Sequence, residues 1–499
     1  MRGVTARAAA IAGLLLGALL AAAMAPVYAS EPARPQIKPR VEEGLKAKAR
    51  RREVDGNLVG HGGPVKAVRV SADGRYALTG SFDYAMMLWD LAPARPKVVL
   101  RLAEHAGAIN AVAFVPARGW LVAAADDGTV TVYEIKSGRR ITSFAGHQGK
   151  VIGLAVSPDG RLLASASWDR TVRLWNLETL TSGPVLSGHK GPVNAVAFSG
   201  DGRSLYSASY DGTIGLWRSD DGAFVRPLYK HGWGINVLER VPGSERLVLG
   251  ALNGTVAMID GGTGKVMREL PAHVRPVLAL AVLAKPGLIA TGAGDGTVRV
   301  LRLDDGALIE EHRNPYGPVW SLAFVPGGGR LFYAGLDDFV TLWQVTPRRP
   351  FEPVQSKFPR RFQVSGEVSE GERQFARKCS VCHTLQPDDR NRAGPTLHGV
   401  FGRRAGSLPG YPYSQALKRA NLVWTAETIG KLFELGPDTF TPGSKMPLQR
   451  ITDARQRQAL IVFLKAASTT PAVREGEGKD EPGSRKARPR AGDDRRQEK

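Results

Sequence analysis

The stretch GHKGPVNAVAFSGDGRSLYSASYDGTIGLW, residues 188–217, decides how most of this chain folds. After His189 come an apolar strand pattern, a turn, a second strand, the acidic turn residue Asp211 and a third strand ending at Trp217. Working outward, the same unit recurs on both sides. His61, His105, His147, His189, His231, His273 and His312 follow one another at intervals of 44, 42, 42, 42, 42 and 39. The turn position holds Asp83, Asp127, Asp169, Asp211, Asn253, Asp295 and Asp337. Six residues later stand Trp89, Tyr133, Trp175, Trp217, Ile259, Leu301 and Trp343. In the seventh unit His312 comes three residues early, while the strand register from Val319 keeps the spacing of 42. A fixed period of this length is the mark of a repeat architecture.

Seven such units resemble the WD40 family over residues 54–346. The resemblance implies an all-β, seven-bladed propeller with four antiparallel strands per blade. Unit seven runs out at Pro347, so Val54–Val59 is expected to supply its missing outer strand and close the ring. Closure removes exposed sheet edges. The resemblance also implies a buried hydrogen-bonded set of His, Ser/Thr, Asp and Trp within a blade. That set is complete three times: His61, Thr79, Asp83, Trp89; His147, Ser165, Asp169, Trp175; and His189, Ser207, Asp211, Trp217. One histidine per repeat at fixed register is structural rather than metal-binding. The residue before the turn Asp faces one mouth of such a propeller. Phe82, Trp168 and Tyr210 are aromatic there and suit a protein-docking surface, although local packing explains them as well. No GxxxxGK[ST], HExxH or GxSxG motif occurs, and no small-molecule substrate is evident.

The chain has 499 residues, 43% apolar and 23% charged, which excludes wholesale disorder. Its net charge of +21 is uneven. Residues 53–346 carry 29 basic against 27 acidic groups, whereas residues 371–470 carry 15 against 7, a surplus of +8. A basic block fits nucleic acid or an acidic redox partner, and motifs must choose.

Arg2 and Arg7 precede an apolar run from Ala8 to Ala25, followed by Val27-Tyr28-Ala29. This pattern reads as a secretory signal over residues 1–29, cleaved after Ala29, and so as a periplasmic protein; an uncleaved anchor is the alternative. Residues 30–53 read as a flexible basic leader and 347–368 as a Pro/Arg-rich linker. Residues 469–499 read as a disordered charged tail.

Both cysteines of the chain lie in Cys379-Ser380-Val381-Cys382-His383. C-x-x-C-H reads as c-type haem attachment. Two thiols on one helical turn add to the haem vinyls, and the next residue aims its imidazole at the iron. From residue 268 onward the one methionine is Met446, in a Pro-Gly loop, and it is the candidate second axial ligand.

Residues 369–468 then resemble a class I cytochrome c of the mitochondrial and bacterial periplasmic type, an all-α domain following the propeller. The resemblance rests on Gly371–Phe375, Leu460–Lys465 and the run Gly394–Arg403. It implies crossed terminal helices, with Gly371 giving close approach and Phe375 near Leu460 and Phe463. It implies that the Pro395 carbonyl fixes the His383 tautomer. It places Arg403, Tyr413 and Trp424 around the haem propionates. One departure is Leu432-Phe433, where the family carries a Tyr beside the axial Met.

Together these readings describe an exported carrier of single electrons with one covalent haem c. Its expected partners are an acidic redox protein or a membrane respiratory complex, met through Lys378 and Lys445, and a further protein on the propeller. Nucleic acid is disfavoured by export. An exported haem oxidoreductase and a haem-based sensor are the competing readings.

Overall fold

The computed structural model describes residues 56–347 except 316, and 368–468 except 386, 388–392, 412, 445 and 447–448. The expected signal, leader and tail, Lys445 and all but Pro347 and Val368 of the expected linker lie outside the described residues.

Among the described residues, strands β1 to β28, numbered in chain order, form seven antiparallel sheets of four. Six sheets are consecutive in sequence. The seventh runs β1 (Leu58–Val59), β28 (Phe339–Gln344), β27 (Arg330–Gly335), β26 (Val319–Phe324). Leu58 pairs with Val340 and Val59 with Phe339, and the Leu342 N–H donates to Asn57 Oδ1 at 2.8 Å. The expected closing strand therefore forms, over its last two residues. Leu58 is fully buried there, so closure adds apolar burial as well as backbone pairing.

Adjacent blades are stitched at their innermost strands. Asn110, Asn194 and Asn236 donate through Nδ2 to the carbonyls of Val151, Ile235 and Val277 in the next blade, at 3.1, 3.0 and 3.0 Å.

The three complete His/Ser-Thr/Asp/Trp sets have one geometry. Trp89, Trp175 and Trp217 donate from Nε1 to the hydroxyls of Thr79, Ser165 and Ser207 at 2.8, 2.9 and 2.7 Å. The same hydroxyls lie 2.6, 2.8 and 2.7 Å from Nε2 of His61, His147 and His189. Nδ1 of each histidine faces the turn carboxylate at 3.1, 2.7 and 3.0 Å. A carboxylate only accepts, so Nδ1 carries the proton and the hydroxyl donates to Nε2. The set is thus a one-way relay from indole to carboxylate.

The incomplete blades break this relay in different ways. In blade two Ala123 replaces the hydroxyl, and both His105 Nε2 and the Tyr133 hydroxyl are buried without a hydrogen-bond partner among the described residues. In blade six His273 keeps Thr291 at 2.8 Å, but its Nδ1 has no hydrogen-bond partner among the described residues. Blade seven shows a substitution of reach. His312 lies on β25 (Leu308–Arg313), the outer strand of blade six, rather than in the following loop. Tyr333, at the Ser/Thr register position, has its hydroxyl 3.3 Å from His312 Nε2, and the His312 ring lies 5.3 Å from that of Trp343.

Residues 368–468 are helical and irregular, with no strand among the described residues. Helix α1 (Glu370–Lys378) is capped by Ser369, whose hydroxyl accepts from Glu372 N at 3.1 Å. Helices α2 (Gln415–Arg419), α3 (Ala426–Leu435) and α4 (Pro437–Phe440) follow, and α5 (Ala454–Ser468) ends the region. Helices α1 and α5 cross at Gly371, where a Cβ would overlap the Ala459 carbonyl. Phe375 and Phe463 meet at the crossing, ring centroids 5.5 Å apart, over a core that includes Leu460, Leu464, Ile429 and Phe433. Among the described residues, no helix is long and apolar enough to cross a membrane.

Candidate functional site

The CxxCH motif begins where α1 ends. The Cys379 carbonyl accepts from Cys382 N at 3.0 Å and from His383 N at 2.8 Å. This extra turn, an i to i+4 bond at its end, sets Cys379, Cys382 and His383 on one face. All three line a cleft of about 470 Å³. Its floor is apolar: Leu397, Val400, Ile429, Leu432, Phe433 and Leu464. Met446, half-buried, lines the same cleft. Burial pushes the Cys379 thiol up to about 12, as expected of a protonated sulfur in an apolar wall.

The His383 ring is held tightly. Its Nδ1 is 2.7 Å from the Pro395 carbonyl. A carbonyl only accepts, so Nδ1 bears the proton and Nε2 carries the lone pair suited to a metal. Gly394 seats against the ring, where a Cβ would overlap the imidazole. Two thiols, an imidazole of fixed tautomer and a thioether around one apolar cleft are a donor set that fits haem c.

The other expected residues fall around the same cleft. Arg403, Tyr413 and Trp424 all line it. Arg403 donates to the carbonyls of Thr396 at 2.6 Å and His398 at 3.2 Å, so it braces the loop that carries Pro395. Lys378 is half-buried at the end of α1. Trp168 and Tyr210 are 51% and 55% exposed, and Lys150 lies over the Trp168 ring at 5.6 Å. Phe82 differs. It meets Trp320 edge-on at 5.7 Å and lines the same cleft as Cys379, Cys382 and His383.

Two residues were not legible in the motif. Tyr411 lines the cleft, donates to the Ala393 carbonyl, and meets Tyr413 with ring centroids 4.7 Å apart. Tyr84, from the first blade, lines it as well. Burial pushes both phenols up. The propeller channel, about 760 Å³, shares Phe82, Asp126 and Lys150 with the cleft. Lys66 lines the channel too, its Nζ 4.7 Å from the Trp320 ring centroid, and desolvation pushes its amine down to about 8.

A seven-bladed ring of four-stranded sheets with this relay defines a WD40-repeat propeller. The family profile "WD domain, G-beta repeat" matches residues 53–90, 96–134, 138–176, 181–218 and 264–301. The unmatched stretches include most of blade five, where Leu249, Asn253 and Ile259 replace three relay members, and blade seven. The chain is also similar to cytochrome c of Gibberella zeae, 37% identical over 102 residues, which is 20% of this chain and 95% of that protein. Cytochrome c of Arabidopsis thaliana is 36% identical over 102 residues, covering 20% of this chain and 90% of its own length. Cytochrome c type-1 of Ascaris suum is 37% identical over 106 residues, 21% and 93% of the two chains. This chain belongs to the cytochrome c family.

Proposed function

We propose that this protein is an exported c-type cytochrome that carries single electrons on one haem, with the propeller as its docking or scaffold module. The observation that carries the reading is the shared cleft: Cys379, Cys382, His383 and Met446 all line it, and His383 is tautomerically fixed. Residues 369–468 form the class I cytochrome c domain of a fusion, and 54–346 the propeller. The haem supplies reversible one-electron chemistry when bound. Cys379 and Cys382 would anchor it by thioethers, and His383 and Met446 would be its iron ligands. Pro395 and Gly394 hold the imidazole in place. Arg403, Tyr413 and Trp424, which line the same cleft, would surround its propionates. Export through residues 1–29 to the periplasm gives the compartment in which such attachment occurs.

Lys378, with Lys445, meets an acidic redox protein or a membrane respiratory complex, and Trp168 and Tyr210 bind a protein on the propeller. Opposite fields speed encounter and lose their effect in salt.

The test is the visible spectrum of the purified, dithionite-reduced protein, before and after carbon monoxide. A sharp low-spin c-type spectrum indifferent to the gas supports the carrier. A shift with the gas refutes the two-ligand site and favours the oxidoreductase or sensor. Met446→Ala should convert the first behaviour into the second. For docking, Lys378→Gln should slow reduction by an acidic partner and flatten its salt dependence.

A further inference from the structure

We propose that the propeller supplies one wall of the haem cleft and that Tyr84 is the residue that forms it; this rests on the haem reading above. Three observations converge on it. The cleft holding Cys379, Cys382, His383 and Met446 is also lined by Phe82, Tyr84 and Gly107 of the first two blades. The seam beside it is bonded: Ala393 N donates to the Gly62 carbonyl at 2.8 Å, and Ala393 is buried. Ala393 in turn precedes Gly394, which seats the His383 ring.

The third observation is conformational. Tyr84 follows the turn Asp of blade one with φ of +65°. At the same register Gly128, Gly212, Gly254 and Gly296 have φ of +79°, +82°, +91° and +88°, and Arg170 has +73°. This is the left-handed region, which disfavours a bulky side chain. Four blades meet the requirement with glycine; blade one places a phenol ring there, and that ring lines the haem cleft. A costly conformation held at a ligand site is a sign of function.

The relay of blade one sets this geometry. Asp83 Oδ2 accepts from Gly62 N at 2.9 Å while Asp83 Oδ1 accepts from Ala85 N at 3.0 Å. One carboxylate therefore fixes both the loop that offers the Gly62 carbonyl and the turn that carries Tyr84. The wall excludes water and small solutes from that side of the haem, which favours the less charged ferrous state.

The experiment uses the full chain carrying Tyr84→Gly, the residue that four other blades have. Covalent haem is first verified on a denaturing gel; its absence from the wild type would refute the haem reading itself, not the wall. The ferrous protein is then mixed with hexacyanoferrate(III), which takes one electron and becomes hexacyanoferrate(II), and the midpoint potential is measured separately. Tyr84→Gly should leave the propeller's melting temperature equal or higher, raise the oxidation rate several-fold and lower the potential. Tyr84→Phe, which keeps the ring, should stay near wild type. Val274→Ser, at the register of Gly62 but in blade six and 87% exposed in the parent, should change nothing. Tyr84→Asn tolerates the same backbone region and replaces the glycine variant if that one folds poorly. A wild-type rate and potential in the folded glycine or asparagine variant overturns the proposal.

Discussion

Ala123→Ser should stabilise the propeller, because it restores the missing member of the blade-two relay. Ala123 is fully buried and pairs with Thr131 across the sheet. In three other blades the hydroxyl at this register touches His Nε2 at 2.6 to 2.8 Å and accepts from an indole at 2.7 to 2.9 Å. In blade two, His105 Nδ1 already faces Asp127 at 3.2 Å, so its Nε2 is the accepting nitrogen. The new hydroxyl would donate to that nitrogen and accept from Tyr133, pairing both buried orphans. Each net hydrogen bond contributes about 1 kcal/mol, so the gain is roughly 2 kcal/mol. For a domain of this size that is a rise of about 4 °C in melting temperature. The assay is thermal unfolding followed by tryptophan fluorescence, with urea midpoints as a check. Adding His105→Leu should abolish most of the gain by removing the acceptor. A melting temperature at or below wild type refutes the reasoning.

The reverse change, Ser165→Ala, should orphan His147 Nε2 and Trp175 Nε1 and cost about 2–4 kcal/mol, read by the same unfolding. His273 makes the propeller sensitive to acid. Burial and the nearby Arg299 hold it down to about 4, against an ordinary 6.5. The unfolded chain therefore takes up a proton before the fold does. Its contribution is complete above pH ~6.5 and lost as pH falls to ~4, at most about 3 kcal/mol, and His273→Gln should flatten that part of a urea-midpoint-against-pH curve. Gly371→Val should force α1 off the Ala459 carbonyl and destabilise the helical region by about 3 kcal/mol or more, seen as lost helical circular dichroism on mild heating. Gly394→Ala should displace the His383 ring, and the purified protein should carry less haem per chain in a pyridine haemochrome assay.

Repeat number, strand closure and the complete relays were legible because each depends on local register. A period of 42 residues with a His, a hydroxyl, an Asp and a Trp at set offsets leaves little choice of partner. The haem-cleft residues were legible for the same reason, since Cys379, Cys382 and His383 need only one helical turn to face one way. Reach is harder to read. Nothing in the linear pattern showed that Tyr333 would extend to an early His312, or that Arg403 would brace two loop carbonyls.

What the sequence by itself determined is the set of parts: seven blades, a ring closed by its own N-terminal residues, and a cleft with two thiols, an imidazole and a thioether. Tertiary structure alone decided how the parts meet. Phe82, at a propeller mouth, lines both the channel and the CxxCH cleft and packs on Trp320, while Trp168 and Tyr210 are about half exposed. Tyr84, which in sequence is only the residue after a turn Asp, became part of the cleft wall. The physical reason is distance along the chain. Strand alternation and helical turns are set by neighbours a few residues away. The contact between Gly62 and Ala393 joins segments that no periodicity relates, and its position follows from which surfaces fit.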